Sequence, residues 1–123
     1  MKDIIQQYLQ YLQSGNLEKI YGLFSADAVV HSPLYGNISA MFFFERLFAD
    51  THQSGITLLN IFTNEDKAGL FAAHFRYHWI LKNGAVTKFE CVDIFQFNEG
   101  NKITELTIIY DTGKFRDDFE KMR

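Results

Sequence analysis

Two long runs of β-branched and aromatic residues, Gly69–Leu81 and Val86–Phe97, meet at Asn83-Gly84. Asn and Gly both tolerate positive φ, so this dipeptide between extended runs is the strongest short-range signal for a hairpin. Ile56–Asn64 and Ile103–Tyr110 are further runs of the same kind. Asn64-Glu-Asp-Lys67 and Asn98-Glu-Gly-Asn101 read as the tight turns that join them. Strands that follow one another through short turns predict an antiparallel meander.

The residues before Gly55 obey a different period. Ile4, Ile5, Tyr8, Leu9 and Leu12 recur at helical spacing, and Ser14-Gly15 ends that helix because Gly accepts the left-handed conformation past the last turn. Asn16 caps a second helix with Leu17, Ile20, Tyr21 and Phe24 on its apolar face. Ala28 to His31 reads as a short extended piece closed by Pro33. Ser39 caps a third helix carrying Met41, Phe44, Leu47 and Phe48, with Gly55 after its end. A tail helix is expected over Lys114–Arg123, with Phe115, Phe119 and Met122 on one side. Three helices followed by a curved antiparallel sheet make an α+β fold, here one domain over residues 1–123.

Composition narrows the partners. Lys and Arg number 12 against 15 Asp and Glu, a net charge of −3, and they are scattered. A nucleic-acid binder concentrates basic residues on one face, so nucleic acid is not an expected partner. The single Cys91 excludes an intrachain disulfide framework and suits a reducing compartment. No stretch reaches the ~18 apolar residues of a membrane span, and the first residues lack a signal peptide's apolar run. The chain is expected to be soluble and cytoplasmic. Thirteen Phe, six Tyr and one Trp exceed the obvious needs of a small core, which leaves some for a pocket or an interface.

Alternation along the strands sharpens this. One face of Gly69–Leu81 carries Phe71, Phe75, Tyr77 and Trp79, and the other carries His74, Arg76 and His78. In Val86–Phe97, Phe89, Cys91, Asp93, Phe95 and Phe97 share a face, so one carboxyl sits in an apolar stripe. Neither face of either strand is plainly a solvated one, and three helices cannot cover both sides of such a sheet. A second subunit is expected to cover the side left bare.

Beyond these patterns, several segments match a known superfamily. They are Gln13-Ser-Gly15-Asn-Leu-Glu, Leu23-Phe-Ser-Ala-Asp-Ala-Val-Val-His-Ser-Pro33, Lys82-Asn-Gly84, Phe89-Glu-Cys-Val-Asp-Ile-Phe-Gln-Phe97 and Lys102-Ile-Thr-Glu-Leu-Thr-Ile-Ile-Tyr-Asp111. In order and spacing the chain resembles the cone-shaped α+β roll of the nuclear transport factor two superfamily. Within it, the chain is most similar to the SnoaL-like polyketide cyclases and the ketosteroid isomerases. The resemblance spans essentially the whole chain. It implies a fold more firmly than a reaction, since one fold hosts many chemistries.

The resemblance also implies roles for individual residues. A ketosteroid isomerase places a Tyr on its first helix against the substrate carbonyl, and Tyr8 matches it. The partner donor is a carboxylic acid kept protonated by an apolar site, and Asp93 matches that one. The base is an Asp directly before a Pro; Ser32 stands there instead. A serine hydroxyl is too weak a base for a carbon-bound proton, so steroid isomerisation is not implied and Ser32 is left as a substrate contact. The cyclases carry their base near the end of the last strand, where Asp111 lies. By the same resemblance His74, Arg76 and His78 line the concave face with Asp93. The row Phe71, Phe75, Tyr77 and Trp79 then forms a convex homodimer surface.

Each candidate has a plain structural alternative. Asp93 can be a structural carboxylate paired with Arg76 or His78, and Tyr8 can be core. Asp111, before Thr112-Gly113, can be a turn or capping residue. His74 and His78 lie about 13 Å apart on a strand, at ~3.3 Å per residue, so they do not share one metal ion. His31 and His52 read as surface or partly buried histidines. No phosphate-cradling glycine loop or metal cluster is present, and no cofactor is implied. Two functions remain open. One is acid–base transformation of a small, mostly apolar carbonyl compound; the other is a non-catalytic dimeric module that binds a hydrophobic ligand or a protein.

Overall fold

The computed structural model describes residues 1–113 and 116–122. Helix α1 spans Lys2–Ser14 and ends at Gly15, whose φ of 68° is the left-handed cap that turns the Asn16 N–H back to the Tyr11 carbonyl at 3.1 Å. Asn16 caps α2, Leu17–Tyr21, by accepting from the Lys19 N–H at 3.1 Å. Phe24, expected on this helix, instead opens strand β1, Phe24–Ser32. The short β2, Gly36–Ser39, had no sequence signal of its own. Ser39 then caps α3, Ala40–Asp50, through a 3.2 Å bond from the Phe42 N–H.

Strand β3 covers Thr51–Thr63 and starts before Gly55, which lies inside the strand rather than marking a helix end. It is followed by β4, Leu70–Leu81, β5, Val86–Phe97, and β6, Ile103–Ile109. The strand order is β2-β1-β6-β5-β4-β3. Strands β3 to β6 form the expected antiparallel meander, and β1 adds to it parallel to β6. A tail helix α4 spans Arg116–Glu120. The rest of the predicted tail helix, at Lys114, Phe115 and Arg123, lies outside the described residues. Among the described residues no helix is long and apolar enough to cross a membrane.

The helices fill the concave side of the sheet. Ile5, Tyr8, Leu9 and Leu12 of α1, with Phe43, Phe44 and Leu47 of α3, bury against Val30, Phe75, Trp79, Phe95 and Leu106. The face assignment of β4 is therefore the reverse of the expected one. Phe75, Tyr77 and Trp79 point inward with Asp93, whereas Arg76 and His78 are exposed on the convex side and His74 is half-buried there. Of the predicted dimer row, Phe75, Tyr77 and Trp79 are instead the core of one chain, and Phe71 is half-buried against Phe97.

The β4–β5 turn accounts for the reversal. A two-residue Asn83-Gly84 turn would pair Lys82 with Ala85 and set His74 opposite Asp93. The observed loop contains three residues. Leu81 N–H donates to the Ala85 carbonyl at 2.9 Å, Gly84 alone takes positive φ (87°), and Ala73 lies opposite Asp93. Such a turn, with a left-handed Gly in third place, is the next commonest hairpin loop. One residue of register moves every side chain to the other face.

Candidate functional site

Asp93 sits in the middle of β5, 1% exposed, on the inward face it shares with Cys91 and Phe95. Two donors reach it. The Tyr8 hydroxyl, carried in by α1, donates to Oδ2 at 3.2 Å, and the Cys91 thiol donates to Oδ1 at 3.2 Å. Burial strips the carboxylate of water and raises its pKa from 3.8 to about 7, while the two hydrogen bonds pull the other way. Near neutral pH this group is therefore shared between carboxylic acid and carboxylate. Burial, reinforced by the Asp93 charge, pushes the Tyr8 phenol well above its usual range, and the Cys91 thiol moves upward for the same reasons. The Tyr8 ring is held edge-on by Phe95 at 5.1 Å and Phe44 at 6.1 Å, so its hydroxyl has little freedom to leave.

These groups open onto a cavity of about 40 Å³. Its walls are Leu12, Phe43 and Leu47 from the helices, Phe75, Tyr77 and Trp79 from β4, and Phe89 and Cys91 from β5, with Ile108, Tyr110 and Tyr35 completing them. A single water needs roughly 10–15 Å³ on this scale, so the cavity holds a few waters at most. Its polar groups are mainly phenols. Tyr77 pairs with the buried Ser54 hydroxyl at 3.0 Å, and the Tyr35 hydroxyl donates to Asp50 Oδ2 at 2.7 Å. Burial raises the pKa of both Tyr77 and Tyr110, so they too remain neutral donors. Among the described lining residues there is no cation. No cluster of three or more His, Cys, Asp or Glu able to hold a metal occurs among the described residues.

Of the predicted site residues, the structure brings only Asp93 and Tyr8 together. Ser32 is buried, but its hydroxyl accepts from the Leu34 and Tyr35 N–H groups at 3.3 and 3.1 Å and does not line the cavity. It is a turn residue whose effect is to fix Tyr35. Asp111 is exposed, and its carboxyl accepts from the Gly113 N–H at 2.8 Å, the turn role weighed against the base role. His74 faces outward between Glu90 (2.7 Å) and Asn60 (3.2 Å). Arg76 and His78 share that outer face, for the register reason given above. His31 also faces outward and meets Glu105 at 2.9 Å, and His52 is exposed. Tyr35, Asp50, Tyr77 and Ser54 were not anticipated as site residues. Tyr77 was readable in principle, because it shares a stripe with Trp79; Tyr35 and Asp50 meet only through the fold.

Solved structures of other proteins share this fold. The epoxide hydrolase/cyclase-like enzyme SalBIII, which acts in pyran ring formation in the polyether salinomycin, superposes with a TM-score of 0.77 at 17% identity, over 91% of each chain. An NTF2-like protein of unknown function from Exiguobacterium sp. 255-15 gives 0.75 at 14% identity, over 88% of this chain and 98% of its own. A protein assigned as a SnoaL-like polyketide cyclase from Shewanella putrefaciens CN-32 gives 0.74 at 11%, over 98% and 85%. No curated protein sequence gives a significant match. Identities this low establish the fold and no more. The model of the SnoaL-like domain matches residues 5–106, from α1 into β6, and on that match the chain belongs to the SnoaL-like family.

Proposed function

We propose that the cone cavity binds a small, mostly apolar molecule through a carbonyl or comparable oxygen, with Asp93 and Tyr8 supplying the hydrogen bonds. The observation that carries this is the buried Tyr8–Asp93 pair on an aromatic cavity wall. A protonated Asp93 has one hydrogen to give, and a site with little water makes that hydrogen bond strong. As the substrate oxygen gains negative charge, a neutral acid beside it lowers the barrier by stabilising that charge or by transferring its proton. The likeness to an epoxide hydrolase/cyclase-like enzyme and to a polyketide cyclase is in keeping with acid–base chemistry on an oxygenated carbon skeleton.

A second reading, ligand binding without turnover, draws on what surrounds the pair. The Tyr8, Tyr77 and Tyr110 phenols and the Cys91 thiol are shifted toward their neutral forms, and Ser32 and Asp111 are committed to turns. That inventory is rich in donors and poor in bases. A fluorescent neutral aryl ketone, 2-acetylnaphthalene, tests both readings. Its affinity is expected to fall as pH rises through about 7 and to become independent of pH in Asp93→Asn. A pH-independent wild type would remove the acid role. Solvent deuterium entering the bound ketone's methyl group faster than in buffer would show a base and favour turnover; no acceleration would favour the binding module.

A further inference from the structure

We propose that Tyr35 is the gate that selects what reaches Asp93, and that α4 holds this gate shut. The proposal rests on the cavity being a ligand site. At about 40 Å³ the cavity is far smaller than the roughly 300–1,000 Å³ of ordinary ligand pockets, so part of its wall must move. Asp93, Tyr8 and Trp79 belong to the buried core; the lining residues that keep partial exposure are Tyr35, Phe89, Ile108 and Tyr110. Phe89 and Ile108 are fixed by the strand ladders on which they sit, and the Tyr110 ring packs on Phe89 at 4.6 Å. Tyr35 lies in the turn between β1 and β2 and is held largely by side chains.

Those restraints are specific. The Tyr35 hydroxyl is latched to Asp50 at 2.7 Å, and its ring meets the edges of Phe43 at 5.5 Å and Phe119 at 5.2 Å. Arg116 Nη2 donates to the Pro33 carbonyl at 3.1 Å, two residues before the gate. Phe119 and Arg116 both belong to α4, and Asn83 Nδ2 ties the same helix to the β4–β5 turn through the Asp118 carbonyl at 3.1 Å. A five-residue helix has no stability of its own, so it persists only while docked, and the Phe119 and Arg116 restraints on the Tyr35 turn depend on that docking. Elements of this kind open at lower free energy than the whole domain. When α4 lifts, Tyr35 loses the ring behind it and the carbonyl anchor of its turn together. The rim is then formed by the rings of Tyr35, Phe89 and Tyr110. It favours flat molecules without negative charge, since an anion would lose its water with no cation among the described lining residues.

Cys91, the chain's one cysteine, lines the cavity and reports access without any ligand. Its alkylation by iodoacetamide should be slow in the wild type and only weakly dependent on urea, as local opening requires. Phe119→Ala should label about ten-fold faster or more, the ratio that 1.4 kcal/mol of lost contact gives. Tyr35→Phe and Asp50→Asn, which keep every ring and loosen the latch, should fall between, and they carry the test alone if Phe119→Ala does not fold. Variants labelling at the wild-type rate would overturn the gate. So would wild-type labelling that is as fast as in the unfolded chain, or that follows the full urea dependence of global unfolding. These outcomes are independent of the donor pair, which ketone binding in Asp93→Asn tests separately.

Discussion

Two tyrosine–aspartate pairs among the described residues stand around one cavity, and burial separates them. Tyr8–Asp93 is sealed in the core at 3.2 Å, and Tyr35–Asp50 is half-buried at the rim at 2.7 Å. Each phenol donates to a carboxyl oxygen. Inside, the loss of water outweighs the hydrogen bonds and turns an acidic residue into a proton carrier near neutral pH. At the rim the pair joins the β1–β2 turn to the end of α3 and acts as a fastening. The same two side chains therefore do different work, decided by depth.

The largest expected effect lies in the inner pair. With its pKa raised from 3.8 to about 7, Asp93 keeps its proton in the folded state at pH values where the unfolded chain has lost it. Folded protein then binds more protons than unfolded, so stability falls as pH rises from about 4 to about 7 and levels off above. Asp93→Asn removes this penalty. Relative to wild type it should gain up to about 4 kcal/mol at pH 8, at ~1.4 kcal/mol per pKa unit, with little gain at pH 4. Urea unfolding at both pH values measures it; an equal difference at the two would mean that Asp93 ionises as an ordinary carboxylate.

Removing one hydroxyl from each pair tests the comparison directly. Tyr8→Phe leaves a buried carboxyl oxygen with one donor fewer, a loss of roughly 1–3 kcal/mol that should be greater at pH 8, where the group is charged. Tyr35→Phe exposes Asp50 to water that can replace the phenol, so roughly 1 kcal/mol or less is expected. Equal losses in the two variants, by the same urea titrations, would show that depth does not distinguish the pairs.

How much of this was legible depended on the range of each signal. Helix caps at Asn16 and Ser39, the Gly15 stop and the meander follow from neighbours within four residues, and they appear as expected. Asp93 and Tyr8 were legible because a lone carboxyl in an apolar stripe stands out and the family resemblance names both positions. The faces of β4 were not legible. Asn83-Gly84 suits a two-residue turn and a three-residue turn alike, and only the strand pairing reveals which forms. Ser32 could be judged a poor base from chemistry alone, yet its use as the anchor of the Tyr35 turn depends on backbone geometry. The Tyr35–Asp50 meeting needs α3 and the β1–β2 turn brought together, and no local pattern encodes that.

The smallest expected effect decides between the two registers. With Ala73 opposite Asp93, His74 stands on the convex face, half-exposed and bridged to the largely exposed Glu90 at 2.7 Å. Pairs of this kind contribute little, so His74→Ala should change stability by no more than ~0.5 kcal/mol and leave ketone affinity as it was. Had the two-residue turn formed, the imidazole would project into the cavity beside Asp93. Its removal would then open a cavity in the core and take away a partner of the acid, with losses of roughly 2 kcal/mol or more and weaker ligand binding. A near-silent His74→Ala beside a strongly pH-dependent Asp93→Asn is thus the pattern that only the three-residue turn produces.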